Sequence, residues 1–437
     1  MTEASTVNAL FLLTNKLKDQ VKRKGWHDRK INRHRVESVA DHIYGCQMLA
    51  YAMNSEFDYD IDIEKVILML SIHEIGETII GDVAPYDMPS KEKSKIEKAA
   101  VKELCSMIPN GDFILDLFNE FEGKSTPEAQ FCYFVDKAEC DLQAKLYSQE
   151  GCFDHMGDRN EFVKNFLGFD MKKIGFDSNF YSVLEYASNN DMVIKEHQDN
   201  NPIQNVISFY TLTNSLKDKK RKGEEIWKIK KENYGSVGEH IFSTQMLAIF
   251  TYLVYQRDID IKHTISLLST HELGENITDD ICALLKTDID RKNELEAVKK
   301  VASILTKGDL LVKQYKEFEG IPEKEIVDEN KEKVVRTKES IYSKYCDKLA
   351  PDIISKIYDQ KNLIDLDNQE GNPTLKDEIV KRHLDSGKSF SDMWILYGQE
   401  KYKYEEPFMT ISNHALNNSL DEPYTLKLKQ KGFSSLS

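Results

Sequence analysis

The sequence contains few residues that break or cross-link a chain. Gly 20 and Pro 10 are a small part of 437 residues, which excludes a collagen-like or low-complexity protein. The seven cysteines are odd in number and form no C-x-x-C pair, so we predict reduced thiols in a cytoplasmic protein. No apolar stretch reaches the length of about 18 residues that a membrane-spanning helix needs, and we expect no membrane partner.

Glycine-rich phosphate loops are also missing. Neither G-x-x-x-x-G-K-[ST] nor G-x-G-x-x-G occurs, which excludes a P-loop or a Rossmann site. The net charge of −15 disfavours a nucleic-acid polymer as partner. We interpret the basic run at 217–233 as a solvated helix end beside a phosphate pocket. A small phosphorylated ligand fits an acidic chain if local cations set the field where it binds.

The chain does contain an internal repeat. SVADHIYGCQMLA at Ser38 recurs as SVGEHIFSTQMLA at Ser236, and the segment that begins DIDIEKVILML at Asp60 recurs as DIDIKHTISLL at Asp258, both offset by 198. Further along, VDKAECDL pairs with CDKLAPDI at an offset of 211, so the second copy carries an insertion of about 14 residues. We predict copy 1 at 1–198, copy 2 at 199–387 and an aromatic-rich tail at 388–437 that packs on copy 2 or forms a homodimer contact.

The periodicity of both copies is helical, and no strand pattern stands out. Apolar residues recur every three to four positions after Ser38, a candidate N-cap. The segment IEKVILMLSIHEIGETII is apolar nearly all round, which predicts one buried helix. We therefore predict an all-α fold of two tandem helical bundles plus the tail.

Charged and polar side chains interrupt that buried helix in both copies. Such groups cost several kcal/mol inside a core unless they are paired or bind a metal. A histidine in the preceding helix and an aspartate in a later one complete a set of two imidazoles and two carboxylates. The predicted metal ligands are His42, His73, Glu74 and Asp136 in copy 1, and His240, His271, Glu272 and Asp347 in copy 2. Mixed nitrogen and oxygen ligands suit Mn²⁺, Fe²⁺, Co²⁺ or Zn²⁺, and Mg²⁺ stays a candidate.

The succession RVESVADH, HEIGETIIGD and VDKAE resembles the HD-domain metal-dependent phosphohydrolases, in particular their 5′-deoxynucleotidase branch. The resemblance covers copy 1 from about Leu17 to Gly151 and copy 2 more weakly. It implies that an acidic pair handles the attacking water and the leaving oxygen, namely Glu77 with Asp82 and Glu275 with Asp280.

The resemblance also implies a phosphate clamp before the first histidine. Arg23 and Arg35 match its basic residues, and Trp26 is placed to stack on a base or sugar. Copy 2 keeps Arg221 but has Asn233 where copy 1 has Arg35. Without that guanidinium, we expect copy 2 to be slower, differently specific or regulatory.

One departure from the family pattern occurs in both copies, where glutamate replaces aspartate in the His-Asp pair. Its side chain reaches one methylene further, which would alter metal preference or loosen the site. The sequence favours a phosphatase of 5′-(deoxy)nucleoside monophosphates. Two alternatives stay open: a hydrolase of dNTPs, cyclic or signalling nucleotides, and a nucleotide-binding scaffold with an inactive second domain.

Overall fold

The structure, a computed structural model, describes residues 1–19, 26, 31–83, 88–152, 177–230, 234–321, 336–420 and 423–432. Arg23 and most of the insertion in copy 2 lie outside these residues. Within them the fold is all-α, as predicted, with no strand and only isolated β-bridges, such as the one between Lys220 and Ser236. No helix in the described ranges has the length and apolar character needed to cross a membrane.

The helices of the two copies follow the same order. Those of copy 1 are α1 (Glu3–Thr14), α2 (Lys16–Asp19), α3 (Val39–Phe57), α4 (Ile63–Ile72), α5 (Glu77–Ile80), α6 (Ser90–Ser106), α7 (Asp112–Gly123), α8 (Pro127–Gln149) and α9 (Ser178–Asn189). Those of copy 2 are α10 (Pro202–Thr213), α11 (Lys222–Ile226), α12 (Val237–Tyr255), α13 (Ile261–Thr270), α14 (Glu275–Thr278), α15 (Asp288–Ala302), α16 (Asp309–Glu319), α17 (Lys338–Gln360) and α18 (Glu378–Asp385). A 3₁₀ turn, Asn214–Lys217, follows α10.

Local capping explains where the long helices begin. The Ser38 hydroxyl accepts from the backbone N–H of Asp41, whose carboxylate accepts from the N–H of Ser38 in return. Ser236 and Glu239 form the same capping box at α12. Each box satisfies backbone donors that a helix start leaves unpaired. The predicted N-cap at Ser38 is confirmed.

The buried helix predicted across IEKVILMLSIHEIGETII is wrong in one respect, because it is broken. Helix α4 ends at Ile72, and α5 begins only at Glu77. Between them the backbone turns tightly through i to i−3 hydrogen bonds, such as Glu77 N–H to the Glu74 carbonyl at 3.0 Å. A Cβ at Gly76 would lie 2.4 Å from Cγ of Glu97, so a larger residue at position 76 would displace the Glu97 side chain of α6. The break places the acidic residues on a turn rather than on a regular helix face.

The two copies pack about an internal pseudo-twofold axis. Helix α3 packs against its counterpart α12, and α4 packs against α13. The buried amides of Gln47 and Gln245, which are 198 residues apart, each donate to the other at 3.0 Å. A residue that contacts its own equivalent is the mark of a twofold interface. The chain therefore has the arrangement of a dimer within one polypeptide.

The first helices of the two copies are exchanged, a feature that the repeat alone did not predict. Helix α10 of copy 2 packs on α3 of copy 1, and α1 of copy 1 packs on α12 of copy 2. Phe11 and Phe209 bury their rings fully in the resulting continuous core. Each copy is thus completed by a helix from the other.

The tail closes over both copies. Its helices are α19 (Phe390–Tyr402), α20 (Phe408–Asn417) and α21 (Pro423–Gln430). Helix α19 packs on α17 of copy 2, in line with the predicted return of the tail. Helices α20 and α21 then contact α1, and α21 also contacts α6. A side-chain hydrogen bond of 3.0 Å joins Asn8 to His414 at this contact.

Candidate functional site

The predicted ligands of copy 1 converge in a buried cluster. His42 comes from α3, Asp136 from α8, and His73 and Glu74 from the turn after α4. One ligand atom from each lies within 4.8 Å of all the others. Nε2 of His42 is 3.3 Å from Oδ1 of Asp136, and Nε2 of His73 is 3.7 Å from Oε1 of Glu74. The cluster has the size and ligand types to hold one divalent ion.

The ring of His73 is oriented for metal binding. Its Nδ1 lies 2.7 Å from the carbonyl oxygen of Leu70, which requires the proton on Nδ1 and leaves the lone pair on Nε2. That Nε2 atom is buried and has no hydrogen-bond partner among the described residues. A buried imidazole nitrogen that faces carboxylates and lacks a hydrogen-bond partner in the described residues is placed to bind a metal ion. The residues present therefore fit a divalent metal.

Copy 2 builds the same cluster. Nε2 of His240 lies 3.2 Å from Oδ1 of Asp347 and 3.5 Å from Oε1 of Glu272. His271 is anchored like His73, with Nδ1 2.7 Å from the carbonyl of Leu268. All four ligand atoms again lie within 4.8 Å of one another. In both copies the glutamate carboxylate reaches the cluster despite its extra methylene.

Burial and charge in the copy 1 cluster favour the metal-binding protonation states of Asp136 and His73. Burial opposes ionisation of Asp136, but Lys137 and the two histidines outweigh it and hold the pKa of Asp136 well below its usual range. Burial lowers the pKa of His73, which favours the neutral imidazole. An ionised carboxylate and a neutral ring are the forms that bind metal.

The acidic pairs behave differently from the ligands. Burial, together with Glu74 and Asp82, raises the pKa of Glu77 well above its usual range. Burial and Glu272 do the same for Glu275 in copy 2. Asp82 and Asp280 are half-buried. A carboxyl group with a raised pKa can hold a proton near neutral pH and deliver it as a general acid.

Lysines beside the carboxylates were missed by the sequence reasoning. Lys93 on α6 donates to Oε1 of Glu77 at 2.9 Å. Lys137 lies 2.9 Å from Asp136, and Lys348 lies 2.8 Å from its counterpart Asp347. The repeated Asp-Lys pair was a signal that would have revealed the last two.

Trp26 is placed inside the fold rather than on an open surface. Its ring is buried and packs edge-on against Tyr147, with 5.5 Å between ring centroids. Its indole N–H donates to Oε1 of Glu37 at 2.8 Å. In the structure, Trp26 therefore packs in the core of copy 1. Arg23, the other member of this segment, lies outside the described residues.

Arg35 joins the two copies. Its Nη2 lies 2.7 Å from a carboxylate oxygen of Asp41 and 2.9 Å from one of Glu239 in copy 2. Nε and Nη1 donate to the backbone carbonyls of Lys217 and Tyr234 at 2.9 and 3.3 Å. The structure does not bring Arg35 into the ligand cluster, and its donors are committed to this junction.

Arg221, by contrast, lies in the site of copy 2. Its guanidinium is 3.6 Å from both Glu272 and Asp280. The Nη1 atom is buried and has no hydrogen-bond partner in the described part of the chain. A guanidinium nitrogen in this state is available to bind an anionic oxygen beside the cluster.

Comparison with known proteins gives matches to one family. A family model described as HD domain matches residues 14–173 and 213–384, which correspond to the two copies. The chain is 36% identical over 133 residues to 5′-deoxynucleotidase HDDC2 of Xenopus laevis, covering 30% of this chain and 64% of that protein. It is 34% identical over 148 residues to HDDC2 of Dictyostelium discoideum, covering 32% and 76%. The human HDDC2 is 33% identical over 131 residues, covering 29% and 62%. The chain thus spans less than two thirds of the Xenopus and human relatives.

Proposed function

The chain belongs to the HD domain family, as its motifs predicted, and we propose that it is a divalent-metal-dependent phosphohydrolase that releases phosphate from 5′-deoxynucleoside monophosphates. The relatives named 5′-deoxynucleotidase support the substrate class. The observation that carries the proposal is the duplicated cluster, in which His73 presents a buried, unpartnered Nε2 to carboxylates.

The residues divide the chemistry between them. A divalent ion, when bound, activates water toward phosphorus and neutralises the phosphoryl oxygens. His42, His73, Glu74 and Asp136 would hold it in copy 1. We assign Glu77 the protonation of the leaving 5′-oxygen, because burial and neighbouring carboxylates raise its pKa well above the usual range. Asp82 would orient the attacking water.

We propose a weaker or differently specific role for copy 2. Its ligand cluster, Glu275 and Asp280 are retained, and Arg221 is placed to bind a phosphate oxygen. The first histidine is supported differently, since Ala350 stands at the position of Glu139, which contacts Nδ1 of His42 in copy 1. Retained ligands with an altered support of the first histidine favour metal binding with slower turnover.

The test is turnover of the purified chain on a nucleotide panel. After chelator treatment, Mn²⁺, Co²⁺, Fe²⁺, Mg²⁺ or Zn²⁺ is added back and released phosphate, pyrophosphate and triphosphate are measured. We expect phosphate from 5′-deoxynucleoside monophosphates with at least one metal. Release of triphosphate from dNTPs would instead support the hypothesis of a dNTP hydrolase. If no metal supports turnover, the nucleotide-binding scaffold would be the remaining hypothesis.

A further inference from the structure

A buried lysine from copy 2 lies beside the metal cluster of copy 1. Lys217 closes the 3₁₀ turn after the exchanged helix α10, and only 2% of its side chain is exposed. Its Nζ donates to Oε2 of Glu37 at 2.7 Å, to Oε1 of Gln143 at 2.9 Å and to Oε1 of Glu139. All three acceptors belong to copy 1. The prediction of a solvated run at 217–233 is wrong for Lys217, because the helix exchange carries this residue into the core.

Glu139 connects Lys217 to a predicted metal ligand, His42. Its second oxygen, Oε2, lies 2.5 Å from Nδ1 of His42, while Nε2 of the same ring faces Asp136 at 3.3 Å. The hydroxyl of Tyr210, also from α10, donates to Oε1 of Glu139 at 2.9 Å. A carboxylate that accepts the Nδ1 proton fixes the ring orientation and leaves Nε2 as the metal-binding atom.

Contacts from Lys217 fix the position of Glu139. The side chains of Glu139 and Glu37 are essentially inaccessible to water, so no solvent molecule can take the place of the lysine. Without Lys217 the Glu139 carboxylate would lose a donor at Oε1, and its side chain would be held less firmly against Nδ1 of His42.

We propose that Lys217 is a positioning residue that copy 2 supplies to the metal centre of copy 1, acting through Glu139 on His42. This inference rests on the proposed metal site. Lys217 touches neither the metal ligands nor the reacting atoms. Its role is to keep Glu139 in the position that holds His42 for the metal, with Tyr210 as the second support from the same segment.

The chain contains its own comparison, because the site of copy 2 keeps a lysine at the position of Lys217, namely Lys18, but lacks the carboxylates and the tyrosine of this network. By the repeat, Ala350 stands at the position of Glu139, Gly235 at that of Glu37 and Phe11 at that of Tyr210. His240 therefore has no carboxylate at the position that holds His42 in copy 1. The proposal predicts that loss of Lys217 affects one metal centre and not the other.

The test measures Co²⁺ affinity of each centre in the full chain. Asp347→Ala leaves only the copy 1 centre, and Asp136→Ala leaves only that of copy 2. Chelator competition, followed by the visible absorption of bound Co²⁺, gives both dissociation constants. We expect Lys217→Met to weaken the copy 1 centre by about 10- to 100-fold, the range for residues that orient metal ligands. The copy 2 centre should change less than about 2-fold.

Two further variants guard against a failure to fold. Tyr210→Phe removes only the hydroxyl on Glu139 and should weaken the copy 1 centre in the same direction by a smaller factor. Lys262→Met is the matched control, because Lys262 also links the copies through a 2.6 Å ion pair, to Asp62, but on the surface. It should leave both affinities unchanged.

The outcomes separate the inference from the function it rests on. Equal weakening of both centres by Lys217→Met would overturn the positioning role, as would unchanged affinity of copy 1 in a variant with native circular dichroism. If Lys217→Met does not fold, unchanged affinity in Tyr210→Phe overturns it. Absence of Co²⁺ binding in the Asp347→Ala chain with Lys217 intact would instead reject the metal centre of the proposed function.

Discussion

Replacing Arg35 by methionine tests whether this residue joins the copies or binds phosphate. Methionine keeps much of the side-chain length but removes the cation that faces Asp41 and Glu239. Those two carboxylates have 0% and 2% of their side chains exposed, so water cannot replace the lost partner. Removing one member of a buried ion pair costs about 3–5 kcal/mol. We expect a loss of that size in the free energy of unfolding, measured by urea denaturation.

Arg33 provides the matched control for this substitution. It lies two residues away and also bridges the copies, with ion pairs of 2.8 Å to Glu150 and 2.6 Å to Asp218. Both of its partners are more than 40% exposed, and exposed pairs contribute about 1 kcal/mol or less. Arg33→Met should therefore cost far less stability than Arg35→Met.

The phosphate-clamp interpretation of Arg35 makes the opposite prediction. If the guanidinium served substrate rather than the junction, Arg35→Met would raise KM and leave the urea midpoint near that of the wild-type chain. A stability loss below about 1 kcal/mol together with a raised KM would refute the argument from burial. Both quantities come from the same preparation, so the two roles are directly distinguishable.

Three other expectations follow from the geometry. Asp136→Ala should abolish most nucleotide turnover while Asp347→Ala removes a minor part, and equal losses would contradict the asymmetry of the copies. A chelator should lower the melting temperature, because an ion at 100 times its dissociation constant stabilises the folded state by about 2.7 kcal/mol. His263 of copy 2 hydrogen-bonds to Glu64 of copy 1 at 2.7 Å and to Glu317 at 3.0 Å, and the bond to Glu64 raises the pKa of His263 to about 9. Its stabilisation should be complete below about pH 6.5 and lost as the pH rises through about 9, so the stability difference between wild type and His263→Gln should shrink over that window.

The ligand clusters could be predicted from sequence because the repeat identified them. A single histidine such as His42 or His240 would have been interpreted as a core residue. Each recurs, however, with a His-Glu pair at the same spacing and with an aspartate further along the chain. The N-cap of α3 was equally predictable, since Ser38 stands directly before an apolar helical pattern. Helix capping depends on residues within one turn of each other, and these are adjacent in the sequence.

The exchange of the first helices could not be predicted from the sequence, and the reason is physical. Helices α1 and α10 derive from the same repeat unit and present similar apolar surfaces, so either would bury its face against its own copy or the other. The hydrophobic pattern predicts that the apolar face of a helix is buried, but it does not predict which other helix covers that face. Lys217 was misplaced for the same reason, because its burial depends on which copy α10 contacts. The break at Gly76 was hidden by the apolar residues on both sides of it.

Covalent linkage of two exchanged halves changes what substitutions such a fold can accept. In a symmetric dimer of identical chains every replacement appears twice, so a change that weakens one site weakens both. Here the same interface joins halves whose sequences vary independently, and Ala350 can replace the equivalent of Glu139 in one half while the other retains it. Neither half can be cut away, however, since each would take with it a helix that the other needs. The architecture permits specialisation of the two sites and forbids their separation.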